Sequence, residues 1–180
     1  MHIKKNIFAI IGSAGKNSSN LKLVQKIAAL TVDEFNVNIF EGLAALPHFN
    51  TELSIENTPQ IIIDFRNAVK RADGIIICTP EYVFSIPSGL KNAIEWCVST
   101  TVFSKKPAGL ITASASGVKG HEELKLIMRT LETIFIDETT LLINGIKGKV
   151  DNDGNIKDEQ TNKALQVFIA AFIKLVNDNN

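Results

Sequence analysis

An excess of charge of either sign is missing from this sequence: 19 lysines and arginines balance 19 aspartates and glutamates. Nothing in that balance favours nucleic acid or an anionic membrane as a partner, so any bound anion must be held locally. Histidine is scarce, and His2, His48 and His121 are scattered without the arrangement of a catalytic triad. Cysteine is limited to Cys78 and Cys97, each embedded in hydrophobic pattern. Without CxxC spacing or histidine partners they do not make a metal site, and they read as buried free thiols of a reducing cytosol. Asp151, Asn152, Asp153 and Asn155 look superficially like a calcium loop, but the closing glutamate is absent and a polar turn is the expectation. The opening apolar run is too short for a signal peptide and no stretch reaches the length of a membrane span, so a cytoplasmic chain is expected.

What is present is ordinary globular material: 180 residues, 45% apolar and 21% charged. That is enough for one domain, residues 1–180, with a substantial core. The organising stretch is residues 7–20. Ile7–Ile11 is apolar without alternation, the pattern of a parallel strand covered on both faces. It stops abruptly in a loop, Gly12–Asn20, built from glycine, serine, asparagine and one lysine, and then Leu21, Val24, Ile27 and Ala28 follow at helical spacing. A strand, a loop of small residues and a helix form an anion site, because the helix start presents unpaired N–H groups and a favourable dipole. Neither GxGxxG nor a P-loop is present. Ser18 or Ser19 has the alternative role of capping the helix.

The same pattern recurs. Asn36–Phe40 reads as a short, polar edge strand, and Glu41–Pro59 as a long irregular stretch packed by Leu43, Leu46 and Phe49. Pro59 opens a helix through Gln60–Arg71. Ile75–Cys78 is a second continuous apolar strand, followed by the loop Thr79–Ser85 and a helix from Pro87–Ser88 with Leu90, Ala93, Ile94 and Cys97 on one face. Pro107–Ala113 is a third strand with the loop Ser114–Gly120 behind it and a helix expected over His121–Thr133. Ile134–Ile143 has strand character, Gly145–Gly154 reads as an excursion or hairpin turn, and Glu159–Val176 as a last helix burying Ala164, Val167, Phe168, Ala171, Phe172 and Leu175. Strands and helices alternate about five times, which predicts a doubly wound α/β fold, a parallel sheet with helices on both faces. The three small-residue loops would then converge beyond the carboxyl ends of the strands, where such sheets bind ligands.

Three segments carry a resemblance that spans nearly the whole chain. GSAGKNSSN (12–20), EGLAALPHFN (41–50) and, most specifically, TPEYVFSIPSGLKNAIEW (79–96) resemble the NADPH-dependent FMN reductase family of the flavodoxin-like superfamily, which includes chromate, quinone and azo reductases. The resemblance implies a five-stranded sheet in the order 2-1-3-4-5, with FMN across its carboxyl edge. It implies a homodimer or homotetramer with a small-molecule electron acceptor and neither nucleic acid nor membrane as partner. Ser13, Lys16, Ser18 and Asn20 would hold the FMN phosphate, with Gly12 and Ser19 in the same loop. Pro80, Glu81, Tyr82 and Val83 would line the flavin ring, and Ser114, Ser116 and Gly117 would lie against its polar edge. No residue is expected in a catalytic or metal-binding role, because flavin carries the hydride chemistry. NADPH or NADH would reduce it, and a free flavin, quinone, azo compound or metal oxyanion would accept the electrons. Two departures stand out: Gly15 where the family usually has arginine, and Val83 where it often has asparagine. They leave open a non-catalytic flavin or electron carrier and a flavin-less interaction module.

Several single residues carry two readings. Glu81 is expected to pair with a cation or cap the next helix rather than react. Tyr82 either packs on a neighbouring loop or second subunit or meets the flavin. Trp96 falls off the Leu90–Cys97 stripe, which leaves it for a subunit interface, the favoured reading, or another part of the core. Lys119 either meets a dinucleotide phosphate or is solvated, and His121 is expected on the surface.

Overall fold

In the structure, a computed structural model that describes residues 3–13, 15, 18–151 and 155–179, five strands form one sheet. They are β1 (Lys5–Ile11), β2 (Phe35–Phe40), β3 (Gly74–Thr79), β4 (Ala108–Ser114) and β5 (Thr140–Asn144). All pairs are parallel and the order is β2-β1-β3-β4-β5, the flavodoxin-like arrangement. Six helices connect and cover them: α1 (Ser19–Leu30), α2 (Gln60–Arg71), α3 (Ser88–Glu95), α4 (Val118–Thr130), the short α5 (Ile146–Lys149) and α6 (Glu159–Asp178).

The unbroken apolar strands divide between two cores because successive side chains point to opposite faces. Ile7, Ala9 and Ile11 of β1 with Ile76 and Cys78 of β3 pack beneath α1 and α6. Phe8, Ile10, Ile75 and Ile77 face the other way, into a core closed by α2, α3 and α4. A strand with polar residues on one side would leave one helical layer without a partner, which is why alternation is missing. β2, the most polar strand, is the edge as expected.

The long segment after β2 is held from beneath. Gly42–Ala45 forms a 3₁₀ turn, and Leu43 and Leu46 are buried. The Asn92 side chain accepts from Phe49 N (2.7 Å) and donates to Pro47 O (3.0 Å), and the Trp96 indole N–H donates to the same carbonyl (2.7 Å). Arg66 of α2 donates to Ser54 O (3.0 Å) and to Trp96 O. The expectation of Trp96 at a subunit interface is therefore corrected: it is fully buried, edge-on to Phe49 at 5.4 Å. The stripe that faces the sheet does not include it because a second surface, the 41–59 segment, covers the flank of α3.

Other expectations shift. Of the 134–143 run only residues 140–143 join the sheet, in β5; the charged pair Asp137–Glu138 falls in a 3₁₀ turn, and Ile134 makes a single bridge to Pro107. α4 starts at Val118, three residues before the expected start, behind Gly117 in a left-handed conformation (φ 88°). The segment after β5 holds α5 and an antiparallel bridge between Val150 and Ile156, so the hairpin reading holds for its base, while residues 152–154 lie outside the described residues. α6 buries Leu165, Phe168, Ile169, Phe172, Leu175 and Val176, a face turned from the expected one. Val167 is 57% exposed.

Candidate functional site

The carboxyl ends of β1, β3 and β4 open into a cleft of about 640 Å³ on the α1 side of the sheet. It is walled by Ser13, Ser18, Ser19 and Asn20 from the first loop, Pro80–Tyr82 from the second, and Ala113–Ala115 from the third. Gly145–Gly148 forms a fourth wall, after β5. The volume lies in the range of cofactor pockets.

The described residues of the first loop gather hydrogen-bond donors at a helix start. Ser18 is the N-cap of α1: its Oγ accepts from Leu21 N (3.1 Å) and from the Ser13 hydroxyl (2.6 Å), which leaves its own O–H to donate. The N–H groups of Ser19 and Asn20, in the first helical turn, have no acceptor within the helix. Capping and ligand binding are thus compatible in one residue. Gly12 does not border the cleft; its N–H donates to Cys78 O (2.8 Å). Lys16 lies outside the described residues. Gly15 is exposed with open space around it and adds no side chain.

Asn20 borders the cleft, but its amide is engaged elsewhere. Nδ2 donates to Ala113 O (3.2 Å) and Oδ1 accepts from the Cys78 thiol (3.3 Å), so the side chain joins α1 to β3 and β4. What it offers an anion is its backbone N–H. Burial raises both thiols, Cys97 to about 12, so both stay protonated.

The second and third loops are locked together by two carboxylates. Glu81 reaches across to the start of α4, accepting from Gly120 N (2.8 Å) and Gly117 N (3.3 Å). A Cβ at Gly120 would lie 3.2 Å from Glu81 Cβ and Cγ, so a larger residue there would crowd this side chain. In return, Glu123 of α4 accepts from Ser85 Oγ (2.6 Å) and Ile86 N (3.1 Å), with Lys91 at 4.0 Å. Glu81 therefore caps a helix, as expected, but α4 rather than the next one along the chain. The third loop, expected from sequence to face a ligand, already holds a carboxylate of its own chain. Ser114 borders the cleft and donates to Glu81 O (3.4 Å), whereas Ser116 and Gly117 do not border it.

Between those anchors the second loop folds back on itself. Tyr82 and Ser85 exchange backbone hydrogen bonds (2.9 and 3.0 Å), and the two residues at the tip, Val83 and Phe84, both have positive φ, 51° and 59°. This is the geometry of a type I′ turn, which favours asparagine and glycine and strains a β-branched valine. Val83 and Phe84, which follow the cleft-lining Tyr82, are 93% and 76% exposed, and Tyr82 is half exposed. Val83 thus stands outside the wall that Tyr82 forms.

His121 is the clearest correction near the site. Because α4 begins early, this residue sits one turn in and faces the sheet, 7% exposed, with Nδ1 3.0 Å from Thr112 Oγ1. Burial, followed by the charge of Lys125, lowers its pKa from 6.5 to about 4. Lys119 is exposed and paired with Glu122 at 2.8 Å. Sequence reasoning missed Ala115 and Gly145–Gly148. The available signal was a glycine-rich segment following a strand, the same pattern that marked the other three loops. Among the described residues there is no cluster of side chains suited to a metal ion, and no helix is long and apolar enough to cross a membrane.

Comparison with known proteins agrees with this geometry. Residues 5–147 match the NADPH-dependent FMN reductase family. A 2-hydroxy-1,4-benzoquinone reductase of a Burkholderia species is 28% identical, covering 96% of each chain. An NADH-dependent flavin reductase subunit of Lactobacillus johnsonii is 30% identical over 94% of this chain and 96% of its own. Among solved structures, the flavoenzyme FerB of Paracoccus denitrificans, an NAD(P)H:(acceptor) oxidoreductase, superposes with a TM-score of 0.85 at 26% identity, covering 97% of this chain and 98% of its own. With a family match across most of its length and the sheet order and cleft that the family implies, the chain belongs to the NADPH-dependent FMN reductases.

Proposed function

We propose that the cleft holds FMN with its phosphate at Ser13, Ser18 and Ser19 and its ring between Pro80–Tyr82 and Ser114–Ala115, and that the oxidant taking the electrons is a quinone. Family membership makes the protein an FMN-dependent NAD(P)H oxidoreductase. The observation that carries the site assignment is the coincidence of a capped helix N-terminus, free hydroxyls and a cleft of cofactor size at one sheet edge. Bound FMN supplies the hydride chemistry, accepting from reduced nicotinamide and passing electrons on.

The chain's own residues bind, orient and leave space. The hydroxyls of Ser18 and Ser19 and the first-turn N–H groups of α1 offer donors to a phosphate, while the Ser13 hydroxyl donates to Ser18 and orients it. Pro80 is buried and rigid, and the Glu81–α4 and Glu123–Ser85 contacts fix the ring's wall. Tyr82, Val83 and Phe84 give the mouth an apolar lip, which favours a planar, weakly polar acceptor over a metal oxyanion. The relative named as a benzoquinone reductase supports that choice. The exposed Val83 and Phe84 also favour a homo-oligomer that covers part of this lip, and the two free thiols fit a cytoplasmic setting.

The test is spectroscopic. Protein incubated with FMN and desalted should stay yellow, bleach with NADPH in the absence of oxygen, and recover its colour with one equivalent of p-benzoquinone. Colourless protein would refute the site, and bleached protein that p-benzoquinone does not recolour would refute the acceptor. Light scattering at micromolar concentration should give a mass of two or four chains.

A further inference from the structure

The phosphate end of the cleft is rich in donors, and its described residues need a cation to balance a bound dianion. Its described first-loop residues, Ser13, Gly15, Ser18 and Ser19, carry no charge, and the chain's net charge of zero provides no general positive field. Of the described residues that wall the cleft, Glu81 is the one acid and Lys147 the one base. The Glu81 carboxylate is turned into α4. Lys147 has no ion-pair partner among the described residues, whereas Lys149, two positions on, lies 3.9 Å from Asp158.

The backbone fixes where Lys147 stands. Gly145 adopts a left-handed conformation (φ 66°) directly after β5, and its N–H donates to Ala115 O (3.1 Å). Gly148 N donates back to Gly145 O (3.0 Å), closing a tight turn with Lys147 inside it. From the other side, Asn20 at the start of α1 donates to Ala113 O (3.2 Å). The two segments are thus moored to carbonyls two residues apart at the end of β4, about 7 Å along the strand. A lysine's flexible four-carbon stem spans such a gap.

Resting on the reading of the cleft as an FMN site, we propose that Lys147 is a phosphate-binding residue: its ammonium reaches across the end of β4 and neutralises the FMN 5′-phosphate cradled by the first loop. A cation for the phosphate then comes from the far wall of the cleft, across from the helix that cradles it.

Flavin affinity measured by fluorescence quenching on apoprotein tests this without reference to turnover. Lys147→Ala should weaken FMN about tenfold, the order expected of one partly solvated charge pair, and leave riboflavin, which has no phosphate, unchanged. Lys147→Arg should restore FMN binding, Lys149→Ala should leave it as in the wild type, and added salt should weaken wild type more than Lys147→Ala. Unchanged FMN affinity in Lys147→Ala would overturn the assignment. So would an equal loss of riboflavin and FMN, which would place the lysine at the ring. A rise in KM for NADPH but not NADH with FMN affinity intact would also overturn it, moving the contact to the nicotinamide dinucleotide's extra phosphate. Wild-type protein that takes up no flavin overturns the cofactor reading and this one with it.

Discussion

Glu81 distinguishes a structural reading of the family motif from a cofactor-contact reading. Its carboxylate accepts two N–H groups of the first turn of α4, and Gly117 and Gly120, which supply them, are buried. Replacement by alanine removes both acceptors and the negative charge at the helix start. Loss of an N-cap costs about 1 kcal/mol, and a charge at a partly buried helix terminus adds about 1–2 kcal/mol, for a total of about 2–3 kcal/mol. For a chain of this size that lowers Tm by about 5–10 °C. Glutamine keeps one acceptor oxygen and should recover about half. The assay is thermal and urea unfolding of the apoprotein, with FMN affinity measured in parallel. The decisive comparison is in apoprotein, where no flavin contact exists to be lost. An apo Tm within about 1 °C of wild type, with FMN binding reduced, would refute the capping argument and return Glu81 to the flavin.

Other predictions test the remaining anchors. Val83→Asn should raise Tm by about 2–4 °C, since a β-branched residue at φ 51° carries about 1 kcal/mol of strain that asparagine avoids; an unchanged Tm would mean the turn is not strained. Trp96→Phe should cost about 2 kcal/mol in urea unfolding followed by circular dichroism, through lost volume and the lost donor to Pro47 O, and no loss would show that the 41–59 segment is held elsewhere. His121 should make the fold acid-sensitive. Its folded pKa, about 4, lies below 6.5, so between those values the unfolded chain binds the proton and the folded one does not. The stability contributed by the neutral, buried imidazole is complete above pH 6.5 and is lost as pH falls toward 4. Melts from pH 7 to pH 4 should be less steep for His121→Gln than for wild type, with Lys125 and Glu122 left in place.

The sheet and the helices were legible because their signals are local and redundant. Apolar runs ending in small-residue loops mark β1, β3 and β4, and Pro59 and Pro87 mark the starts of α2 and α3. What escaped depends on neighbours distant in sequence. Trp96 is off the stripe that faces the sheet, and its burial follows from the 41–59 segment folding over α3. His121 was misplaced because α4 starts on Gly117, whose left-handed turn and Glu81 cap are invisible to periodicity. In α6 the run ALQVFIAAFIKLV is apolar almost all round, so spacing alone does not choose between Ala164–Val167 and Leu165–Ile169. The first loop reads as an anion site from its composition, and its residues Ser13, Ser18, Ser19 and Asn20 border the cleft. That Asn20 uses its side chain on Cys78 and Ala113, and that Lys147 stands opposite, required the sheet order.

The paired carboxylates Glu81 and Glu123 have a consequence for how such a protein can diversify. They weld the second and third loops into one body, while Val83 and Phe84 project from it and make no contribution to the weld. On the proposed reading of the cleft, substitutions at the tip would change which oxidant is admitted without disturbing the seat of the cofactor, and substitutions at Lys147, on a separately moored turn, would change how tightly the cofactor is kept without altering the choice of oxidant. Selection, or an engineer, would then have two independent dials.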